Sequence, residues 1–170
     1  MTKKKDQNRK QVIAKKNAVE SLKFQTHFGL KMMGRANDDI FQQLAETELN
    51  FIGELNLTQD ILDLKTFVEG IKKDLGVIPT PEKGDFCTSI TAIALGIASI
   101  TDLDNMKMPI SWQEQIAKKI LTIYYPKDYR NPVVDWANAH NYNTSTYLGC
   151  PIIKYKKIYV IIKSTREGKE

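Results

Sequence analysis

The segment Pro151-Ile-Ile-Lys-Tyr-Lys-Lys-Ile-Tyr-Val-Ile-Ile-Lys163 decides the fold class of this chain, because β-branched and aromatic residues dominate it. It predicts either one long strand or a hairpin that turns near Lys156-Lys157, where the lack of Gly and Asn disfavours a tight two-residue turn. Its central part, Ile158-Tyr-Val-Ile-Ile162, is uncharged and would aggregate if it were left exposed. We therefore expect it to pair with another strand, in this chain or in a second chain.

The residues that precede this segment have the apolar spacing of helices. In residues 59–75 the apolar side chains recur at steps of three and four, with Thr58 as N-cap and Gly76 as the left-handed residue that ends the helix. Residues 86–103 are apolar or small almost throughout, and their length favours a buried central helix over strands. The expected fold is therefore mainly α, a bundle of five or six helices with a short C-terminal β-strand or hairpin. The predicted helices cover residues 11–32, 38–55, 59–75, 86–103, 111–124 and 132–140.

The clearest break in the chain is Pro79-Thr-Pro81-Glu-Lys-Gly84-Asp85, which combines the residues that favour loops. It divides the sequence into a helical N-terminal lobe, residues 11–76, a loop, residues 77–85, and a helical C-terminal lobe, residues 86–170, that ends in the β element. Residues 1–10 are polar and rich in lysine, a composition that predicts a disordered basic tail.

The net charge of +5 is distributed unevenly along the chain. Residues 1–31 carry nine Lys or Arg against two acidic residues, and residues 154–170 carry six against two, whereas residues 32–153 carry ten against sixteen. Two basic ends on an acidic body favour contact with a polyanion, with solubility or back-folding of the tail as the alternative. Only four of the twenty-five basic residues are Arg, so we expect mostly non-specific phosphate contacts. The expected N-terminal contact residues are Lys3, Lys4, Lys5, Arg9, Lys10, Lys15 and Lys16.

A second candidate surface follows from the segment Val133-Val-Asp-Trp-Ala-Asn-Ala-His-Asn-Tyr-Asn-Thr-Ser-Thr146, which has helix–turn–helix spacing and resembles the opening of excisionase-type winged helices of mobile elements. The resemblance implies a DNA-binding winged helix, with the lysine-studded strand 152–163 as the wing. Only six residues separate Thr144 from Pro151, which is short for a recognition helix, and structural closure of an α+β fold is the alternative. The candidate contact residues are Asn143, Thr144, Ser145, Lys154, Lys156 and Lys157.

The spacing of the His, Cys and acidic residues does not match a known metal-binding or catalytic motif. No two of His27, His140, Cys87 and Cys150 lie within four residues of each other, so the paired spacing of a structural zinc site is missing. A nucleophilic Cys150 with His140 and Asp135 would need the fold to bring these residues together. The carboxylate pairs are interpreted as helix starts and solvent-exposed helix faces. We expect no enzyme activity, no metal and no cofactor. Two cysteines, no signal peptide and no apolar run of about 18 residues predict a cytoplasmic protein without a membrane partner.

Together these features favour a non-enzymatic nucleic-acid-binding accessory protein. The Lys-, Ile- and Asn-rich composition suits an AT-rich genome of a phage or mobile element. The alternative is a protein-interaction module, an assembly factor or an inhibitor, that uses the C-terminal strand and the acidic middle as binding surfaces. In that interpretation Ile158–Ile162 adds to a partner's sheet or forms a homodimer.

Overall fold

A computed structural model describes residues 2–101, 103 and 111–165. The fold is mainly α with a short C-terminal sheet, as the sequence predicts. The described residues form six α-helices: α1, Thr2–Met32; α2, Asp39–Glu54; α3, Thr58–Leu75; α4, Ile90–Ala94; α5, Ser111–Lys118; and α6, Arg130–Ala139. The same part of the chain forms four strands: β1, Ile120–Tyr125; β2, Thr144–Tyr147; β3, Cys150–Lys154; and β4, Tyr159–Ser164.

The strands form one sheet in the order β1-β4-β3-β2. The C-terminal segment is a hairpin, β3 and β4, that turns over residues 155–158, where the Tyr155 N–H donates to the Ile158 carbonyl oxygen at 2.9 Å. The turn near Lys156 is therefore confirmed. β4 also pairs in parallel with β1, so both of its edges are occupied. The prediction that Ile158–Ile162 adds to a partner's sheet or joins two protomers is wrong for this reason, since the partner strands come from the same chain.

β1 replaces the second half of the helix predicted over residues 111–124. The helix ends at Lys118, because Lys119 adopts a left-handed conformation with φ of 64°. Residues 120–125 alternate between half-buried and buried and pair with β4.

The helix predicted over residues 86–103 is also shorter than expected, because of the residues described there only the five of α4 are helical. Gly96, at φ of 80°, follows the end of α4 in a left-handed conformation, and the Ile97 N–H donates back to the Ala92 carbonyl oxygen at 2.9 Å.

The N-terminal segment is helix. The prediction of a disordered tail over residues 1–10 is wrong from Thr2 onward, because these residues are the first turns of α1. The segment contains Lys, Arg and Gln, which are good helix formers, and no Gly or Pro that would interrupt the helix beginning further on. Every residue from 5 to 17 is exposed, so this half of α1 projects beyond the core.

The predicted helix–turn–helix is not formed. Residues 144–147 are the edge strand β2, which pairs antiparallel with β3, and no second helix follows α6 in the described residues. Leu148 and Gly149, both with positive φ, make the two-residue turn from β2 to β3. The Thr-Ser-Thr-Tyr sequence of β2 has the strand propensity that this pairing requires. The alternative, structural closure of an α+β fold, describes this region.

The larger of two hydrophobic clusters in the described residues takes side chains from both predicted lobes, including Leu64, Phe67 and Ile71 of α3 and Leu121 and Val160 of the sheet. The loop over residues 77–85 does not separate two cores. It pairs with the outer edge of β1, since the Thr80 N–H donates to the Tyr124 carbonyl oxygen at 2.7 Å and the Asp85 N–H donates to that of Thr122 at 3.0 Å. A Cβ atom on Gly84 would lie 2.6 Å from the Thr122 oxygen.

α4 is fixed by a buried carboxylate from α2. The Ser89 hydroxyl donates to Glu48 at 2.5 Å, and the Ile90 and Thr91 N–H groups donate to the same carboxylate at 3.1 Å each. Burial raises the pKa of Glu48 above its ordinary value, and these hydrogen bonds oppose the rise. α1 crosses α4 closely, because a Cβ atom on Gly29 would lie 2.0 Å from the Ala94 carbonyl oxygen.

Candidate polyanion-binding surface

The two basic ends of the chain meet at Asn56, in the connection between α2 and α3. The Lys15 ammonium from α1 donates to the Asn56 side-chain oxygen at 3.3 Å. The Lys157 ammonium from the β3–β4 turn donates to the Asn56 carbonyl oxygen at 2.9 Å. The fold therefore brings together two lysines that the sequence places at opposite ends.

The β3–β4 turn is held against α3 by Asp60. One carboxylate oxygen of Asp60 accepts the Lys157 N–H at 2.7 Å and the Ile158 N–H at 3.1 Å. Asp60 is 2% exposed, and burial raises its pKa, whereas the two backbone hydrogen bonds act in the opposite direction. Asp60 and Asp63 form one of the carboxylate pairs interpreted from the sequence as solvated helix termini, and for Asp60 this interpretation is wrong. Its carboxylate instead fixes the backbone that presents Lys156 and Lys157.

A cleft of about 310 Å³ opens between α1, the α2–α3 connection and the β3–β4 turn. We call it the α1–turn cleft. Its charged lining residues are Lys15, Lys156, Lys157 and Asp60. Small and apolar residues of α1 and α2 also line it, namely Ala14, Ala18, Val19 and Gly53, as do the uncharged polar residues Gln11, Asn56, Thr58 and Gln59. The described lining thus carries three positive charges and one negative charge.

The projecting half of α1 carries most of the other predicted contact residues. Lys5, Arg9, Lys10 and Lys16 are all exposed, and Lys3 and Lys4 lie in the first turns of the helix. Helical spacing places four basic residues of α1 on one side, which we call the basic face: Lys5, Arg9, Lys16 and Lys23. Lys15 lies about 100° around the helix from Lys16 and belongs to the cleft.

The predicted residues around β2 divide between a neighbouring depression and the hairpin itself. Asn143, Lys154 and Lys156 line a shallow depression beside the α1–turn cleft, so Lys156 borders both. The Lys154 ammonium lies 5.7 Å from the centre of the Tyr159 ring. The Thr144 hydroxyl donates to the Asn138 side-chain oxygen, and Ser145 is exposed on β2.

Asn56 and Asp60 are functional candidates that the sequence did not reveal. Both belong to the stretch Asn56-Leu-Thr-Gln-Asp60, which has the pattern of an ordinary helix start. The sequence signal that could have marked position 56 is the residue type, because Asn tolerates the positive φ of 58° found there better than most residues do. Their contacts join positions about a hundred residues apart in sequence, with separations of 97 and 101.

The reactive side chains have partners that serve packing. The His140 ring stacks on Trp136 with 3.8 Å between ring centres, and its Nε2 lies 3.8 Å from an Asp74 oxygen. Asp74 also accepts the Trp136 indole N–H at 2.7 Å. The Cys87 thiol donates to the Gly84 carbonyl oxygen at 3.2 Å, and burial raises its pKa. Cys150 begins β3, directly after the two-residue turn from β2.

Within the described residues, no three His, Cys, Asp or Glu side chains are grouped so that they could hold a metal ion. Over the same part of the chain, no helix has both the length and the apolar character to cross a membrane. Comparison of the chain with protein-family models, with curated proteins and with solved structures finds no match.

Proposed function

We propose that this protein is a non-enzymatic nucleic-acid-binding accessory protein, of the kind that serves a phage or mobile element. The observation that carries the proposal is the meeting of the two basic chain ends at Asn56, where Lys15 of α1 and Lys157 of the β3–β4 turn line the same cleft. The acidic segment 32–153 would repel a polyanion, so the charge distribution favours binding at the two basic ends of the chain.

The mode of binding is electrostatic. The basic face runs from Lys5 to Lys23, about 27 Å along α1, which suits contacts with successive phosphates of a duplex. Four cations of the basic face and three of the cleft would displace about seven counterions. The expected loss of affinity between about 50 and 200 mM salt is then about 10³- to 10⁴-fold. The low Arg content predicts little discrimination between base sequences.

The test is anisotropy of a fluorescent duplex of random sequence, measured across this salt range. The variant replaces the four residues of the basic face by Gln, and a control removes four exposed charges elsewhere, at Lys72, Lys73, Lys118 and Lys127. We expect the first variant to bind far more weakly and with a smaller salt slope, and the control to bind almost as the parent protein does. Equal losses in the two variants, or a flat salt dependence of the parent, would refute the proposal.

A protein-interaction module is the second candidate, and the α1 surface supplies an observation that favours it. Phe24, Phe28 and Met32 are 70%, 53% and 71% exposed and follow one another at steps of four residues. Such an apolar row is typical of a helix that docks on a partner. Ser substitutions of the two phenylalanines should leave duplex affinity unchanged and abolish capture of a protein partner from nuclease-treated extracts. Capture that persists would refute this second candidate.

A further inference from the structure

We infer that the α1–turn cleft is a binding site for a single phosphate group, with Lys15, Lys156 and Lys157 as its ligands. The inference deepens the proposed function, on which it rests for the source of the phosphate, because it names where a nucleic-acid phosphate would sit. The same chemistry would accept the phosphate of a small phosphorylated molecule.

The charges that line the cleft suit a phosphate. Asp60 is the only acidic residue in the described lining, and the two backbone N–H groups of the turn already engage one of its oxygens. With three lysines against this carboxylate the lining carries a formal charge of +2, which matches a phosphate dianion. The first turn of α3 also lines the cleft, and no described side chain caps it, so the positive end of the helix dipole adds to the field.

The lysines are held but retain free donors. Lys15 and Lys157 each use one hydrogen of the ammonium group on Asn56, which leaves two donors on each for a ligand. Asp60 fixes the backbone of Lys157, so this side chain starts from a rigid position. A smaller loss of side-chain freedom on binding favours affinity.

The size and lining of the cleft select against a larger ligand. A volume of about 310 Å³ is at the lower end of the range for small-molecule sites. No aromatic side chain is among the described residues that line it, so these residues offer no platform on which a nucleobase would stack. Ala14, Ala18 and Gly53 leave room for a phosphate to approach the backbone.

The experiment is a nuclear magnetic resonance titration of the full chain with inorganic phosphate, against sodium chloride at the same ionic strength. We expect saturable shifts of the amide resonances of Asn56 and Lys157, and a roughly tenfold weaker affinity in Lys15→Gln and in Lys157→Gln. Lys16→Gln is the matched control, because it removes the same charge from the next residue of α1 outside the cleft. Unchanged melting temperatures show that all three variants are folded.

Absence of saturable shifts, or an equal loss of affinity in Lys16→Gln, would overturn the inference. Duplex binding by the same variants separates it from the proposed function. Duplex binding that depends on the basic face, without any phosphate binding in the cleft, would leave the function and refute the site. Saturable phosphate binding without duplex binding would support the site and refute the function, with a small phosphorylated molecule as the source. Saturable phosphate binding that Lys15→Gln weakens and Lys16→Gln does not, together with duplex binding that depends on the basic face, would support both.

Discussion

Replacement of Glu48 by Ala should remove the hydrogen bonds that connect α2 to the start of α4 and so destabilise the protein. The carboxylate accepts hydrogen bonds from the Ser89 hydroxyl and from the N–H groups of Ile90 and Thr91, all in a buried region. Each buried N–H left without an acceptor costs about 1–3 kcal/mol. Removal of a desolvated carboxylate offsets part of this loss. We therefore expect the free energy of unfolding to fall by about 2–4 kcal/mol.

The assay is urea unfolding followed by far-ultraviolet circular dichroism, with Glu46→Ala as the control. Glu46 lies on the same helix but is exposed, so its replacement should change stability by less than about 0.5 kcal/mol. If Glu48→Ala unfolds at the same urea concentration as Glu46→Ala, the carboxylate does not cap α4 and the reasoning fails.

The pH dependence of Glu48→Gln adds an independent check. Burial raises the folded-state pKa of Glu48 above 4.5, so in the window just above that value the folded protein binds more protons than the unfolded chain does. The contribution of Glu48 to stability is therefore fully present below its unfolded pKa and declines as pH rises through the folded pKa. Because Gln does not titrate, we expect the stability difference between parent and variant to be larger at pH 4 than at pH 7. A difference that grows with pH would contradict this sign.

Three further outcomes are expected. Gly84→Ala should lower the free energy of unfolding in urea by more than about 2 kcal/mol, because the new Cβ atom would lie 2.6 Å from a carbonyl oxygen of β1 and the residue has a φ of 89°. Gly34→Ala, with open space around it, should lower it by about 1 kcal/mol. Equal losses in the two variants would contradict the close approach at Gly84. Gly29→Ala should prevent α1 from contacting α4 and lower the melting temperature by several degrees, whereas Gly53→Ala in α2 should raise it. Deletion of residues 1–10 should weaken duplex binding, because it removes lysines that are proposed to contact phosphates. It should leave the melting temperature unchanged, because no described side chain in the deleted segment is buried. A lower melting temperature would show that the projecting helix contributes to the core.

Local patterns allowed some elements to be predicted closely. The sequence offers Asn37 or Asp38 as the cap of α2, and the Asp38 side chain takes that role by accepting the Ile40 and Phe41 N–H groups. Gly76 ends α3 in a left-handed conformation, as predicted. Both devices act within a few residues, so the sequence displays them directly. Thr58 is the first residue of α3 rather than its cap, a shift of one position.

Elements whose structure depends on distant partners were predicted poorly. The Ile120–Tyr125 segment fits a helix or a strand by composition, and its parallel pairing with β4 decides in favour of the strand. In the same way the apolar character of residues 86–103 indicates burial but not conformation. The helix there ends at Ala94, and Gly96 follows in a left-handed conformation.

The sequence by itself determined the fold class, the β character of the C-terminus and the concentration of positive charge at both ends, because composition and short-range spacing encode these properties. Only the tertiary structure decided that Lys15 and Lys157 meet at Asn56 and that the carboxylate of Asp60 is buried beneath the turn. These contacts depend on the packing of α1 and the β3–β4 hairpin against α3. Such packing is the outcome of the whole core, and no local pattern in the sequence records it.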